Sequence, residues 1–231
     1  MAEDETQDPV TPEQGAVDAA TRRLEQLYTG VVNDVMRAMG VRNFVLPPAI
    51  RPLFPERKLA GPVFTVSGHV DEAADADTTL VEWTGLLAEA KPGHVVINQP
   101  HTHAVALMGE LSAETLQYRG VRGYIVDGAC RDVDFILELG FPVCFSHYTP
   151  KDIVSFWRPD AFEQPIQIGD VRIHEGDYVL ADRDGIVIVP ADRLEAVLEA
   201  AETAVSTENL VRKAILEGVD PREAYRRYGK F

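Results

Sequence analysis

Short apolar runs alternate with stretches of helical periodicity between residues 61 and 145, and this alternation constrains the fold more than any other feature. The runs have the length of strands and read "GPVFTVSGHV", which begins at Pro62 as a strand, "HVVIN", "GYIV" and "FPVCF". The spacing of apolar residues between them predicts helices over 77–90, 108–118 and 132–139. This pattern is typical of βαβ units. The sequence therefore predicts an α/β fold with a parallel sheet.

Three segments flank this alternation. The stretch "VDAATRRLEQLYTGVVNDVMRAMG" predicts a helix that is interrupted at Gly30 and ends at Gly40. Residues 1–16 are acidic and contain proline, a composition typical of a disordered tail. We therefore expect a tail over 1–16, an α/β domain over 17–190 and a C-terminal helical extension over 191–231.

The second half of the α/β domain has a different texture. Residues 146–169, "SHYTPKDIVSFWRPDAFEQPIQIG", predict a connection so long that it should either cover a pocket or pack at a subunit interface. The next stretch, "DVRIHEGDYVLADRDGIVIVP", predicts three short strands with turns at 175–176 and 184–185. An antiparallel section therefore follows the βαβ units.

The C-terminal extension is predicted to be mostly helical from Ala191 to Tyr228, with breaks at Gly218 and Pro221. Its apolar residues form one stripe on an otherwise charged surface, and they are Leu194, Val197, Leu198, Ala201, Ala204 and Val205. A long terminal helix with a single apolar face usually packs on another element, so we expect it to pack on a neighbouring subunit.

Composition excludes several classes of protein. The net charge of −15 disfavours a nucleic-acid-binding protein, because such a protein needs a basic patch. It equally disfavours binding to an anionic membrane surface. No apolar run approaches the roughly 18 residues of a spanning helix. Cys130 and Cys144 are too few for a disulfide framework or a zinc ribbon and are expected to be reduced thiols. These features are typical of a cytoplasmic protein.

The turn "VDGACRD" follows the strand at 123–126 and carries the first candidate site residues. Ligands bind in α/β proteins at the carboxyl ends of parallel strands, where backbone amides and side chains converge. Arg131 offers a rigid fork suited to a carboxylate, and Asp132 offers hard oxygens for Mg²⁺. The alternative is structural: Asp132 caps the following helix while Arg131 pairs with Asp127 or Asp134.

A second turn of the same kind is "INQPHTHAVALMGEL". It leads into a helix whose first amides, those of Gly109, Glu110, Leu111 and Ser112, would bind an anion. Glu110 adds a carboxylate, or is an ordinary acid at a helix start. Two such loops would bring amides, an arginine and carboxylates to one pocket, and that combination suits a small α-keto acid bound to a divalent cation.

The blocks "GEL", "RGVRGYIVDGACRD", "GFPV" and "GDYVLADRDGIVIVP" together resemble the RraA-like family. "TGVVNDVMRAMG" is similar to the opening helix of that family, so the resemblance runs from about Thr29 to the C-terminus. The family includes 4-hydroxy-4-methyl-2-oxoglutarate (HMG)/4-carboxy-4-hydroxy-2-oxoadipate (CHA) aldolases, which also decarboxylate oxaloacetate, and regulators of ribonuclease E. The resemblance implies a β/β/α sandwich of the swivelling-domain type, assembled as homotrimers or homohexamers with active sites at subunit interfaces.

The resemblance also implies roles for individual residues. Arg131 would bind the keto-acid substrate and stabilise developing charge, and Asp132 would hold Mg²⁺ or Mn²⁺. The amides at 109–112 would receive the pyruvyl carboxylate, and Glu110 would order water at the metal. A neighbour's C-terminal helix should add an acid, with Glu199 and Glu202 as candidates.

His101 and His103 depart from the glycine-rich loop that many members carry at this place. They could contact the distal part of a different keto-acid substrate. They could also bind a transition metal together with Glu110, although the spacing is longer than in a cupin-like H-x-H…E motif. The third interpretation is that both histidines are solvent-exposed or stabilise the loop.

Two functions of different classes share this fold. The first is a divalent-metal-dependent pyruvate-type aldolase and oxaloacetate decarboxylase, and the second is a non-catalytic protein-binding regulator of ribonuclease E. The Glu110, Arg131 and Asp132 set, the C-terminal extension and the long middle connection favour the enzyme. A demethylmenaquinone methyltransferase is rejected because no glycine-rich S-adenosylmethionine loop follows a first strand.

Overall fold

The computed structural model of the chain describes residues 17–230, so the predicted tail over 1–16 lies outside the described residues. Twelve strands are described: β1 (Arg51–Pro52), β2 (Leu59–Val70), β3 (Val95–Gln99), β4 (Gly123–Val126), β5 (Ala129–Cys130), β6 (Val143–Phe145), β7 (His147–Tyr148), β8 (Trp157–Phe162), β9 (Ile166–Ile168), β10 (Val171–Ile173), β11 (Tyr178–Ala181) and β12 (Ile186–Val189). The helices of the described part are α1 (Ala19–Gln26), α2 (Thr29–Ala38), α3 (Ala76–Glu89), α4 (Glu110–Tyr118), α5 (Val133–Leu139), α6 (Leu194–Leu216) and α7 (Pro221–Tyr228), with a 3₁₀ turn at Ala191–Arg193. No helix of residues 17–230 is long and apolar enough to span a bilayer.

The main sheet is mixed and centres on the long strand β2. Its strands lie in the order β1-β6-β4-β3-β2-β11-β12, and β8 pairs with β2 beyond β11. Strands β2, β3, β4 and β6 are parallel to one another. The remaining strands join in antiparallel pairs. The predicted parallel βαβ core is therefore confirmed, with antiparallel strands at both ends.

Each face of the sheet is covered by a separate layer. Because side chains alternate along a strand, Phe64, Val96 and Tyr124 point to the face covered by α3, α4 and α5. Their neighbours Val63 and Val95 point to the other face, which the β9–β10 hairpin covers. The layers are thus hairpin, sheet and helices, which confirms the predicted β/β/α sandwich.

The N-terminal and C-terminal helices pack on each other. The predicted stripe on α6 is buried against α1 and α2 of the same chain, and Val197, Leu198 and Ala201 are fully inaccessible. Arg23 on α1 fastens this contact by ion pairs at 2.6 Å to both Glu195 and Glu202. The apolar stripe of α6 therefore packs within the chain, on α1 and α2.

Several predicted boundaries are wrong. The first helix breaks at 27–28, and Gly30 lies inside α2. Strand β2 begins at Leu59, before Pro62, because its first residues pair with β11. Helix α4 begins at Glu110, two residues after the predicted start. Gly30 therefore does not mark the helix break, and Pro62 does not mark the start of β2, which depends on its pairing partner β11.

The predicted connection over 146–169 is mostly structured and contains β7, β8 and β9. Strand β8 pairs with the end of β2, and Trp157 at its start is fully buried. The Trp157 indole donates to Pro100 O at 2.9 Å and packs edge-on against Trp83, with 5.9 Å between ring centroids. This segment is therefore part of the core, anchored by one tryptophan.

We expect Gly68→Ala to lower the free energy of unfolding by about 1–3 kcal/mol, the usual cost of overpacking a core. A Cβ at Gly68 would lie 2.0 Å from the Trp157 ring and 2.4 Å from Arg158 O, and the latter is backbone that cannot rotate away. Chemical denaturation measures the change. Gly85→Ala is the matched control, because a Cβ at this helical site meets nothing within 4 Å and should stabilise α3 slightly. Equal stability of the two variants would contradict the prediction.

Candidate active site

Two loops leave the same edge of the sheet and run side by side. One follows β3 and the other follows β4, its parallel neighbour. Ala106 and Ala129 form an isolated parallel bridge between them, and Leu107 N–H donates to Ala129 O at 3.0 Å. Arg131 N–H then donates to Met108 O at 2.9 Å. Backbone hydrogen bonds therefore hold the two predicted turns together.

This pairing brings Asp132 to the start of α4. Asp132 has a left-handed backbone with φ of 54°, and its side chain does not cap α5. Instead, Asp132 Oδ2 accepts a hydrogen bond from the Glu110 N–H at 3.3 Å. Gly109, the N-cap residue of α4, has no side chain to offer, so the Asp132 carboxylate takes that place at the positive end of the helix.

Arg131 lies between two carboxylates. Its Nε is 3.3 Å from Asp132 Oδ2, and its Nη1 is 3.3 Å from Asp152 Oδ2. The structural alternative, in which Asp132 caps α5 and Arg131 pairs with Asp127 or Asp134, is therefore wrong. Both ion pairs are long and partly exposed, so the guanidinium is held by carboxylates that an incoming anion can displace.

These groups line a cleft of about 620 Å³. The cleft contains all the residues of the predicted carboxylate and amide set, which are Gly109, Glu110, Leu111, Ser112, Arg131 and Asp132. The Ser112 hydroxyl accepts a hydrogen bond from the Trp83 indole at 3.0 Å, which fixes the first turn of α4 against α3. The first-turn amides of a helix have no partner inside the helix, so those facing the cleft can bind an anion.

Sequence reasoning missed many of the residues that line this cleft, among them Leu80 on α3 and, from the predicted connection, Asp152 and Val154. The positions of Asp152 and Val154 depend on how the connection folds back over the sheet, and no local pattern in the sequence carries that information. The only available signal was the unusual length of the segment.

His101 and His103 lie in a different cavity, of about 340 Å³. His103 Nε2 is 3.1 Å from Asp127 Oδ1, and the other oxygen of Asp127 accepts from Gln99 Nε2 at 3.1 Å. His101 has a left-handed backbone, and its N–H donates to Gln99 Oε1 at 2.9 Å. The structure thus separates both histidines from the cleft of Arg131 and Asp132. No group of three or more His, Cys, Asp or Glu in residues 17–230 could hold a metal, so the predicted transition-metal site with Glu110 does not form.

Asp132 is the side chain best placed to hold a divalent cation. Its Oδ2 accepts from the Glu110 N–H and pairs with Arg131, whereas its Oδ1 makes no hydrogen bond within residues 17–230. Mg²⁺ commonly takes one or two protein carboxylates and keeps several waters. A single free carboxylate oxygen at the wall of an open cleft fits such an ion, and it does not fit a metal that demands a cage of protein ligands.

The thiols of Cys130 and Cys144 are not nucleophiles of this site. Burial raises the pKa of both Cys130 and Cys144 to about 12. The thiolate is the nucleophilic form of cysteine, so both groups are inert at neutral pH. Cys130 adjoins Arg131 in sequence, yet its role is to fill the core below the loop.

The two candidate acids of α6 differ in their surroundings. Arg23 binds Glu202 through two hydrogen bonds of 2.6 and 3.0 Å, and these hold the pKa of this carboxyl below its usual value. Glu199 is exposed and has no ion pair among the described residues. Of the two, Glu199 is therefore the one whose side chain is available to another subunit.

An arginine, a carboxylate and the amino end of a helix at the carboxyl edge of a parallel sheet are typical of an α/β protein that binds a small anion. The chain belongs to the RraA-like family, because the family model described as Aldolase/RraA matches residues 29–188. The predicted family is thereby confirmed.

Two relatives that cover most of this chain have different names from each other. The chain is 28% identical to a Halalkalibacterium halodurans protein named "Putative 4-hydroxy-4-methyl-2-oxoglutarate aldolase", over 92% of this chain and 95% of that one. It is 27% identical to protein DlpA of Legionella pneumophila over 94% of this chain, which spans 36% of the length of that protein.

Solved structures show the same fold. Streptomyces coelicolor RraAS2, described as an unusual member of the RNase ES inhibitor RraA protein family, is similar with a TM-score of 0.74 and 27% identity, over 84% of this chain and 96% of that one. An uncharacterized protein from Pseudomonas syringae pv. tomato has a TM-score of 0.82 over 96% and 100% of the two chains, and at 21% identity it shows the fold alone.

Proposed function

We propose that this protein is a divalent-metal-dependent lyase that cleaves a 4-hydroxy-2-oxo dicarboxylate such as HMG, or the related tricarboxylate CHA, and that decarboxylates oxaloacetate through a pyruvate enolate. The observation that carries the proposal is the convergence of Arg131, Asp132 and the first turn of α4 in one cleft. The relative named as an aldolase supports the reaction class.

The reaction breaks one carbon–carbon bond. In the retro-aldol direction the C3–C4 bond breaks, and its electron pair passes to the C2–C3 unit as the enolate of pyruvate. The C4 hydroxyl loses a proton and becomes a carbonyl, and C3 gains a proton, so no proton is consumed overall. Oxaloacetate gives the same enolate by loss of CO₂.

Each group of the cleft has a part in this reaction. The α4 amides bind the substrate carboxylate, and Arg131 places a fixed positive charge where the enolate oxygen develops. Glu110 lines the same cleft and is the group that exchanges the proton with C3 through water. Asp132 would hold Mg²⁺ or Mn²⁺, which would supply Lewis-acid stabilisation of the enolate oxygen. No lysine lines the cleft, so a Schiff-base mechanism has no nucleophile there.

In this proposal the chain assembles as a homotrimer or homohexamer, and the active sites lie at subunit interfaces. Glu199 is exposed on α6, between the two glutamates that pair with Arg23, and makes no such pair itself, which supports its entry into a neighbour's site. Glu202 is the weaker candidate because leaving Arg23 would break a bidentate ion pair.

Pyruvate release from HMG and from oxaloacetate tests the proposal. Activity should be lost with EDTA and restored by Mg²⁺ or Mn²⁺. Absence of pyruvate from both substrates, with metal present and the oligomer folded, would overturn the proposal. It would favour the second candidate, a protein-binding regulator of the ribonuclease-inhibitor type, which the likeness to RraAS2 supports.

Gly109→Ala is expected to lower metal-dependent pyruvate release by about 10²-fold, the effect of a misplacement of roughly 1 Å in a reacting group. A Cβ at this position would lie 2.6 Å from Asp132 Oδ2 and 3.3 Å from the Arg131 side chain, so both groups must move. The backbone φ of −147° suits any residue, and stability should change little. Steady-state kinetics measures the rate of pyruvate release, and a thermal melt measures the stability of the variant. Normal turnover in the variant would show that the close approach is unimportant.

A further inference from the structure

The hydroxyl of Ser112 differs from the other serine and threonine hydroxyls in the helices of residues 17–230. Each of the others donates its proton to a helix carbonyl or to a carboxylate of the chain, and they belong to Thr21, Thr29, Thr78, Thr79, Thr84, Thr115, Thr203, Ser206 and Thr207. The carbonyl four residues before Ser112 is that of Met108, which precedes α4 and accepts from the Arg131 N–H. Within the described part of the chain, the Ser112 proton therefore has no acceptor.

Trp83 decides which role this hydroxyl can take. An indole N–H only donates, so Ser112 Oγ must be the acceptor in the 3.0 Å contact between them. A hydroxyl has one proton and two acceptor sites, and the occupied site turns the proton away from Trp83. The indole itself is fixed, because Trp83 is 7% exposed and packs edge-on against Trp157. Ser112 is therefore held as an acceptor towards α3 and is left as a donor on its other side.

The free proton lies at the anion-binding end of α4. Ser112 is the third residue of that helix, so its side chain belongs to the same turn as the first-turn amides, and it lines the cleft with Gly109 and Glu110. A carboxylate has about four acceptor sites, more than two helix amides fill. A carboxylate bound to these amides can therefore accept a further hydrogen bond from the Ser112 hydroxyl.

We propose that the Ser112 hydroxyl donates to the C1 carboxylate of the keto acid, and that Trp83 is the positioning residue that holds it in this role. The inference rests on the proposed function and deepens it, because it assigns a side chain to recognition of the pyruvyl carboxylate. That carboxylate keeps its charge while the enolate forms. The hydrogen bond is therefore equally strong in the ground state and the transition state, so it lowers KM without raising kcat.

Ser112→Ala is expected to raise KM for oxaloacetate about tenfold and to leave kcat unchanged, because a hydrogen bond to a charged group is lost equally from both states. Steady-state pyruvate release measures both constants. Thr115→Val is the matched control: it removes a hydroxyl from the same helix and cleft whose proton Leu111 O already accepts at 2.7 Å, and KM should not change. A merely structural role of Ser112 would shift α4 and lower kcat. Unchanged KM in Ser112→Ala, or a fall in kcat alone, would overturn the inference.

Binding of oxalate provides a test that does not need turnover. One carboxylate of oxalate stands in for the C1 carboxylate, and the other stands in for the enolate oxygen. Titration calorimetry with Mg²⁺ present should show about tenfold weaker binding of oxalate to Ser112→Ala than to the parent protein. Weaker binding without pyruvate release by the parent would overturn the proposed function and support the carboxylate donor. Pyruvate release with unchanged oxalate affinity in the variant would do the reverse, and a parent protein that shows neither property would remove both.

A double-mutant cycle tests the part of Trp83. Trp83→Phe keeps an aromatic ring against Trp157 but removes the N–H, so it should raise KM in the parent protein. The same substitution should raise KM no further in Ser112→Ala, since the hydroxyl it positions is already gone. A loss of packing alone would act equally in both backgrounds. No increase in the parent, or the same increase in both backgrounds, would rule out the positioning role.

Discussion

Replacing Arg131 by alanine should lower kcat for pyruvate release by about 10²–10³-fold, the usual effect of removing one group that stabilises an oxyanion. The guanidinium lies at the edge of the cleft, between Asp132 and Asp152, where a carboxylate or an enolate oxygen can replace them. The fold should persist, because the side chain is partly exposed and the hydrogen bond from Arg131 N–H to Met108 O does not depend on it. Steady-state kinetics with HMG and oxaloacetate measures the loss.

Two further variants make the result specific. Arg131→Lys keeps the charge but loses the planar fork, so it should recover only part of the rate. Arg172→Ala changes an exposed arginine on β10, away from the cleft, and should leave the rate unchanged. Near-normal turnover in a folded Arg131→Ala enzyme would rule out the role assigned to this residue.

The elements that local periodicity determines were predictable. Strand β4 is predicted over 123–126, as it is observed, because a short apolar run is followed directly by Asp127 and Gly128, which break a strand. The three strands after residue 170 and the breaks near Gly218 and Pro221 were also found, since turns and helix ends have local signals. Placing both loops at the carboxyl edge of a parallel sheet then predicted that Arg131 and Asp132 lie beside the start of α4, where the structure has them.

Features that depend on distant residues were not predictable. Strand β8 forms because Gly68 leaves room for Trp157 on the neighbouring strand, and no property of residues 157–162 alone shows this. The ion pair of Asp152 with Arg131 follows from the path of the same segment. Such contacts join parts of the chain that hydrophobic periodicity treats separately.

The direction of one side chain shows the same limit within the site. Asp132 at the start of α5 has the sequence features of a helix cap, and the preference for such caps is strong. Its left-handed backbone turns the carboxylate towards α4 instead, where the Glu110 N–H needs an acceptor that Gly109 lacks. A cap was predicted from the sequence, but for the wrong helix. The backbone pairing of the two loops decides which helix the Asp132 carboxylate caps.

Asp132→Asn should abolish activation by Mg²⁺ and Mn²⁺ in the concentration range that activates the parent enzyme. The amide is isosteric and still accepts from the Glu110 N–H, so the loop and α4 should stay in place, while the charged hard oxygen that a divalent cation requires is gone. We expect the metal concentration for half-maximal activity to rise at least about tenfold, a loss in the range seen when groups around a metal are altered. Binding of Mn²⁺ followed by electron paramagnetic resonance gives a readout independent of turnover.

The control for this substitution is Asp134→Asn, which removes an exposed acid two residues away, in the first turn of α5. Asp134→Asn removes the same single negative charge as Asp132→Asn but does not change a residue of the cleft. An effect on Mn²⁺ affinity that comes only from the lower net charge should therefore appear in both variants. A loss of Mn²⁺ affinity in Asp132→Asn alone assigns the metal to the carboxylate at the α4 terminus. Unchanged affinity there would move the cation elsewhere in the cleft, with Glu110, Glu114 and Asp152 as the remaining carboxylates of its lining.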